Sequence, residues 1–146
     1  MKRKIILSVL TLILIFSSSL AFAEIQKFDH FSVDVPEGWD SDLQGTTLIV
    51  KSKNKNASVE VAFNKMGDTD LADIAERLYI EMDGTDLEED EDGDFLFNFV
   101  NPAGVDSVAL IMGAEGYYLV LSITGFDDES IQKDLEKILD TVNWND

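Results

Sequence analysis

Seven carboxylates fall within nine residues in the run Asp86-Leu87-Glu88-Glu89-Asp90-Glu91-Asp92-Gly93-Asp94. Oxygen donors at this density, set around a glycine, suit Ca2+, a hard cation that takes about 6–8 oxygen ligands. Placing Gly93 at the glycine of an EF-hand loop puts Glu88, Asp90 and Asp92 at the first three ligand positions. The closing bidentate glutamate then falls on Phe99, and the flanking residues have strand rather than helix character, so the run is not an EF-hand. Two readings stand. One is an irregular Ca2+ loop with Asp90, Asp92 and Asp94 as ligands; the other is a solvated β-turn joining an acidic edge strand to Phe95–Val100. The turn is preferred, because carboxylates this close repel one another and take up cations weakly without forming a specific site.

Other chemistry-bearing residues are sparse. Lys51, Lys53 and Lys55 share one face of a strand end and form a basic patch on an acidic chain. They suit a partner or ligand surface for an anionic group, or lysines that guard an exposed sheet edge; the guarding role is preferred. The single histidine, His30, lies just before the first strand, and no G-x-S-x-G elbow accompanies it. One imidazole is also too few nitrogen ligands for a zinc site without carboxylate help, so His30 is expected at the surface or rim. A hydrolase built on a carboxylate pair stays open, since 29 acidic residues allow many pairings and nothing singles one out. Phe95, Phe97 and Phe99 form an aromatic stripe, with Tyr117 or Tyr118 expected nearby. Such a stripe suits a hydrophobic-ligand groove or, as preferred here, the floor under a helix.

The elements that must position these groups begin with an address. Lys2, Arg3 and Lys4 precede the apolar run Ile5 to Phe16, and Ala21-Phe22-Ala23 is the small-x-small pattern after which a signal peptidase cuts. The apolar stretch is short of the roughly 20 residues of a membrane-spanning helix. Residues 1–23 therefore read as a cleavable Sec-type signal peptide, with retention as an anchor the alternative, and residues 24–146 as one acidic domain, periplasmic or extracellular. Without cysteine, the chain has no lipid-modified Cys, no thiol chemistry and no disulfide staple. Loss of the leader leaves 8 basic against 29 acidic residues, a net charge of −21. Such a field repels nucleic acid and anionic lipid head groups and favours cationic partners. No nucleic-acid partner is expected, and no membrane once the leader is cleaved.

Along the mature chain, Phe31, Val33 and Val35 alternate with polar residues and stop at Pro36-Glu37-Gly38, which predicts a strand. Thr46 to Lys53 and Ala57 to Asn64 read as a hairpin. Leu71, Ile74, Ala75, Leu78, Tyr79 and Met82 recur at helical spacing behind a capping Asp70, and Asp83-Gly84 closes the helix with Gly as its left-handed C-cap. Three strands follow, Phe95 to Val100, Val105 to Met112 and Tyr117 to Thr124. The last two are apolar on both faces and so need cover on both sides. A final helix after Asp127-Asp128 carries Ile131, Leu135, Ile138, Leu139 and Val142 on one face. Hairpin-length connections imply a mostly antiparallel sheet of six or seven strands with two amphipathic helices, an α+β layered domain.

The segment Phe31-Ser32-Val33-Asp34-Val35-Pro36-Glu37-Gly38-Trp39 resembles the opening strand of PsbP-like and DcrB-like exported proteins, an aromatic-led strand followed by Pro, a short gap and Trp. The later order, through a C-terminal helix ending near Val142-Asn143-Trp144, is similar to that group over nearly the whole mature chain. The resemblance implies an α-β-α sandwich and an accessory or binding role in an exported compartment, with no catalytic residues to carry over. The expected function is a non-enzymatic module that engages a protein or small ligand in the cell envelope. No cofactor is expected beyond the Ca2+ of the acidic turn, and the alternatives are a divalent-cation protein and a hydrolase.

Overall fold

A computed structural model describes residues 24–27 and 31–144. The predicted leader and His30 lie outside the described residues. In chain order the elements are β1 (Glu24–Lys27), β2 (Phe31–Val35), β3 (Trp39–Gln44), β4 (Thr47–Ser52), β5 (Ser58–Lys65), α1 (Leu71–Glu81), β6 (Thr85–Glu89), β7 (Phe95–Val100), β8 (Asp106–Ala114), β9 (Tyr117–Thr124), α2 (Gln132–Thr141) and β10 (Asn143–Trp144). β3 to β9 form a seven-stranded sheet in the order β3-β4-β5-β9-β8-β7-β6, antiparallel at every pair. A second sheet, β1-β2-β10, brings the two ends of the described chain together on either side of β2. The α+β class and the seven antiparallel strands agree with the sequence reading, which placed β2 in the same layer as the rest.

The central strand β9 explains why cover is needed on both faces. Leu119 and Leu121 are fully buried toward one core, while Tyr118 points to the other. The first core packs β2 and α2 against β4, β5 and β9, through Val33, Ile138, Val50, Val59 and Val61 among others. The second lays α1, through Ile74 and Ala75, on Phe97, Phe99, Ala109 and Ile111. Each fully buried aliphatic or aromatic side chain contributes about 1.5–3 kcal/mol relative to exposure. These cores therefore hold a cysteine-free chain together without disulfides, and both are drawn from Phe31 to Val142.

Trp39 ties the two sheets together. Its amide donates to the Pro36 carbonyl (3.2 Å) across a turn in which Gly38 takes φ +83°. The buried indole donates from Nε1 to Asp134 Oδ2 of α2 at 2.9 Å. The Pro-Glu-Gly-Trp spacing thus carries the chain from the small sheet into the large one and latches the C-terminal helix over the seam. The strand that Trp39 begins was not legible in the sequence: Trp39–Gln44 is polar and mostly exposed, lacking the alternation that marks a buried strand. Its presence makes β3 the sheet edge and β4 an interior strand. Lys51, in β4, therefore does not guard an edge.

The close of α1 also differs from expectation. Asp83 is the left-handed residue, at φ +50°, not Gly84. Gly84 is required for space instead: a Cβ there would stand 2.7 Å from Tyr79 Cδ2 and 2.8 Å from Phe97 Cδ2. The Gly84 amide donates to the Tyr79 carbonyl at 2.8 Å, and the Tyr79 ring meets Phe97 edge-on at 5.6 Å. Among the described residues, no helix is long and apolar enough to cross a membrane.

Candidate functional site

The acidic turn closes the β6–β7 hairpin. The Asp90 amide donates to the Asp94 carbonyl (2.9 Å), and the Gly93 amide donates to the Asp90 carbonyl (3.2 Å). Asp90 Oδ1 accepts from the amides of Asp92 and Asp94, both at 2.9 Å, and Gly93 takes φ +83°. The next turn, between β7 and β8, repeats this pattern without charge. The Asn101 amide donates to the Val105 carbonyl (2.9 Å), and the Gly104 amide donates to the Asn101 carbonyl (2.8 Å). Asn101 Oδ1 accepts from Ala103 and Val105 at 2.9 and 3.0 Å, and Gly104 takes φ +79°. Both are Asx-capped turns with glycine supplying the left-handed residue. An uncharged amide makes the same turn, so the Asp90 Oδ1 contacts are explained by backbone capping.

Asp94 has a second environment. Partial burial and the neighbouring charges of Asp90 and Asp92 raise its pKa to about 6, partly opposed by a backbone hydrogen bond from Gly113. Among the described residues, no group of three or more acidic or histidine side chains is placed to hold a metal ion. Asp90, Asp92 and Asp94 follow one another along this turn.

The lysines are exposed and matched to acids within the chain. Lys51 stands opposite Asp40 in the β3–β4 register, Lys53 Nζ lies 3.2 Å from Asp40 Oδ1, and Lys55 Nζ lies 3.9 Å from Asp128 Oδ2. Hydrogen bonds from the Ser130 hydroxyl and amide hold the exposed Asp128 carboxyl below its usual range, with Lys55 adding a smaller pull. The aromatic stripe splits as preferred: Phe97 and Phe99 are buried under α1 with Tyr118, whereas Tyr117 stacks on Phe63 at 4.9 Å. The stripe is a floor, not a groove.

A cleft absent from the sequence reading lies at the other end of β6 and β7. It encloses about 220 Å³ and is lined by Asp83, Thr85, Asp86, Asn98, Phe99, Val100, Asp106, Ser107 and Phe126. Pairing of Thr85 with Asn98 and of Val100 with Asp106 brings the start of β6, the end of β7 and the start of β8 side by side. A register shift between Thr85 and Glu88 accompanies the left-handed Asp86, at φ +58°. Buried Ser107 braces the floor, donating to the Val105 carbonyl at 3.1 Å and sharing a 2.9 Å hydrogen bond with Thr124 Oγ1. Val100, which lines the cleft, stays exposed at 59%, so an aliphatic side chain borders a carboxylate-lined hollow. The one sequence signal for this site was Asp83, read only as a helix end. Asp86 belonged to the acidic run, and Asp106 lies 20 residues further along the chain.

No family model matches this chain, and no curated protein does. Among solved structures it is similar to the solution structure of cyanobacterial PsbP (CyanoP) from Synechocystis sp. PCC 6803. The TM-score is 0.58 at 13% sequence identity, over 90% of this chain and 99% of that one. The fold is PsbP-like.

Proposed function

We propose that this chain is an exported, non-enzymatic binding or accessory protein that works in the periplasm or outside the cell by engaging a cationic partner. The observation that carries this reading is the cleft itself, with carboxylates at Asp83, Asp86 and Asp106 set against Phe99, Val100 and Phe126. The net charge favours the same class of partner. The leader read from residues 1–23 supplies the address, and the PsbP-like fold accords with an accessory role.

Two other readings are less well supported. A Ca2+ site at Asp90, Asp92 and Asp94 is not needed to explain the turn, since Asn101 builds the same one without charge. A carboxylate-pair hydrolase would find acids gathered in the cleft, but its volume is below the roughly 300–1,000 Å³ of ligand pockets. The space suits a side chain.

The test is photo-crosslinking in cells that export the protein, with a photoreactive amino acid at position 100 or, as control, at position 92. A basic protein captured from position 100 and not from 92 is the expected result. No adduct at 100, or equal adducts at both, contradicts it.

A further inference from the structure

Among the described residues, one buried side-chain atom has no hydrogen-bond partner: Oδ1 of Asp34 in β2. A buried carboxylate oxygen left unsatisfied is costly and is ordinarily met by a donor or a cation. The small sheet shows which donor the fold brings there. The Asp34 amide donates to Thr141 Oγ1 at 2.8 Å, and the Thr141 hydroxyl donates to the Lys137 carbonyl at 2.8 Å, so the end of α2 engages this edge of β2. The outer strand β1 pairs with the opposite edge, Ile25 with Asp34 and Glu24 with Val35. Antiparallel pairs alternate between hydrogen-bonded and non-hydrogen-bonded. With its amide turned to Thr141, Asp34 forms the non-hydrogen-bonded kind with Ile25, which makes Glu24 and Val35 the hydrogen-bonded kind. The Glu24 nitrogen therefore faces β2 one residue from Asp34, roughly 5–6 Å from its carboxyl.

Resting on the exported reading, in which the leader is cut after Ala23, we infer that Asp34 is the counter-ion of the new N-terminus, an α-ammonium at Glu24 that fastens β1 to β2. Hydrolysis of the Ala23–Glu24 peptide bond consumes one water and leaves a carboxylate on Ala23 and an ammonium on Glu24. In the uncut chain the Glu24 nitrogen is an uncharged amide with a single N–H, used in the ladder to Val35. After the cut it carries a charge and three N–H bonds, enough for that carbonyl and for the Asp34 carboxylate. Removal of the leader thus supplies the donor that Asp34 lacks and links export to the closing of the small sheet. The other charged residues on the elements packed here are Lys27 of β1 and Asp134, Lys137 and Asp140 of α2. Asp134 accepts from Trp39, and Lys137 does not hydrogen-bond Oδ1. Lys27 registers with Ser32, two residues from Asp34, and is the rival cation.

The experiment starts from the full chain, expressed with its leader and recovered from the cell envelope, with its first residue read by mass spectrometry; Glu24 is expected. The α-amino group is then titrated through the 13Cα shift of Glu24. It should ionise at about 9 or above, at least tenfold more weakly than the ordinary N-terminal range of about 7.7–8.0. Asp34→Asn should return it to that range. A version with one extra Ala before Glu24 moves the ammonium away from Asp34 and needs no substitution in the fold. The chain beginning at Glu24 should melt higher than this version below about pH 7.7, and the gap should close as pH rises through about 9. Lys27→Gln should leave the gap unchanged. An α-amino group in the ordinary range, a raised value that survives Asp34→Asn, equal melting of the two versions, or a gap removed by Lys27→Gln would each overturn the inference. A processed chain beginning at Glu24 alongside any of those results leaves the exported reading standing, whereas a chain that keeps its leader removes both.

Discussion

The two turns that flank β7 have the same hydrogen-bond pattern and opposite chemistry. At one end Asp90 folds its carboxylate back onto the amides of Asp92 and Asp94; at the other Asn101 does so with an amide onto Ala103 and Val105. The charged turn draws the eye in the sequence, yet its first carboxylate is spent on a role that Asn performs equally well. The neutral turn leads from Val100 to Val105 and borders the cleft. Density of charge along a chain is thus a poor guide to a site. Convergence of separate segments is the better one.

The largest effect should come from breaking the scaffold on the cleft side. Gly84→Ala forces a methyl against the rings of Tyr79 and Phe97, which are packed in the second core. It should cost about 2–3 kcal/mol in chemical unfolding and displace Asp83 and Asp86 from the cleft while leaving the Asp90 turn as it is.

Removing the caps should treat the two turns alike. Asp90→Ala and Asn101→Ala each deprive two backbone amides of an acceptor, and each should cost about 1–2 kcal/mol. A double comparison sharpens this: Asp90→Asn should cost less than about 0.5 kcal/mol, because it converts the charged turn into its neutral twin. A loss from Asp90→Asn as large as that from Asp90→Ala would show that the charge itself is needed, and would restore the cation reading.

Asp94 distinguishes the ends by pH. Its pKa is raised in the fold to about 6, so the neutral form is favoured there. The stability this gives is fully present only well below the ordinary value of 3.8 and is lost as pH rises from there through about 6. Asp94→Asn keeps an acceptor for Gly113 and cannot ionise. It should raise stability at pH 7.5 by about 1 kcal/mol, after allowing for solvent screening at a half-exposed group, with almost no effect at about pH 2.5, where the group is protonated in both states. Thermal melts of the two proteins across that range check the sign.

The smallest effect is expected at the lysines. Lys53→Ala removes an exposed pair with Asp40, and such pairs contribute about 0–1 kcal/mol. A melting temperature indistinguishable from the parent's is the expected outcome.

How much of this was legible follows from the physics of each signal. The helices, β2, β5 and the strands from Phe95 to Thr124 bury a regular face, and burial imposes periodicity that can be read. β3 and β6 are edges with little to bury, so their residues are free to be polar. β6 is still legible as an acidic edge strand because it runs through a turn into Phe95–Val100, whereas β3 has no such neighbour signal. β1 and β10 are short, and their pairing with β2 depends on where the chain ends fold back. Among functional candidates, contiguous features such as Asp86–Asp94 and Lys51–Lys55 were visible, and the structure accounts for much of their pattern locally. The cleft was not visible, because Asp83, Asp86, Val100 and Asp106 meet only through strand pairing and the backbone at Asp83 and Asp86 is left-handed without glycine. Nothing in residue types or spacing encodes that meeting.

The most direct test of the account sets both ends of the β6–β7 hairpin against each other in one spectrum. Amide shifts of the 15N-labelled chain from Glu24 are followed while an acetylated peptide with a central Lys between two Val residues is added. The account predicts saturable shifts at Asp83–Asp86, Asn98–Val100 and Val105–Ser107, with Asp90–Asp94 unmoved. Shifts centred on Asp90–Asp94, or spread evenly over the acidic surface, would contradict it.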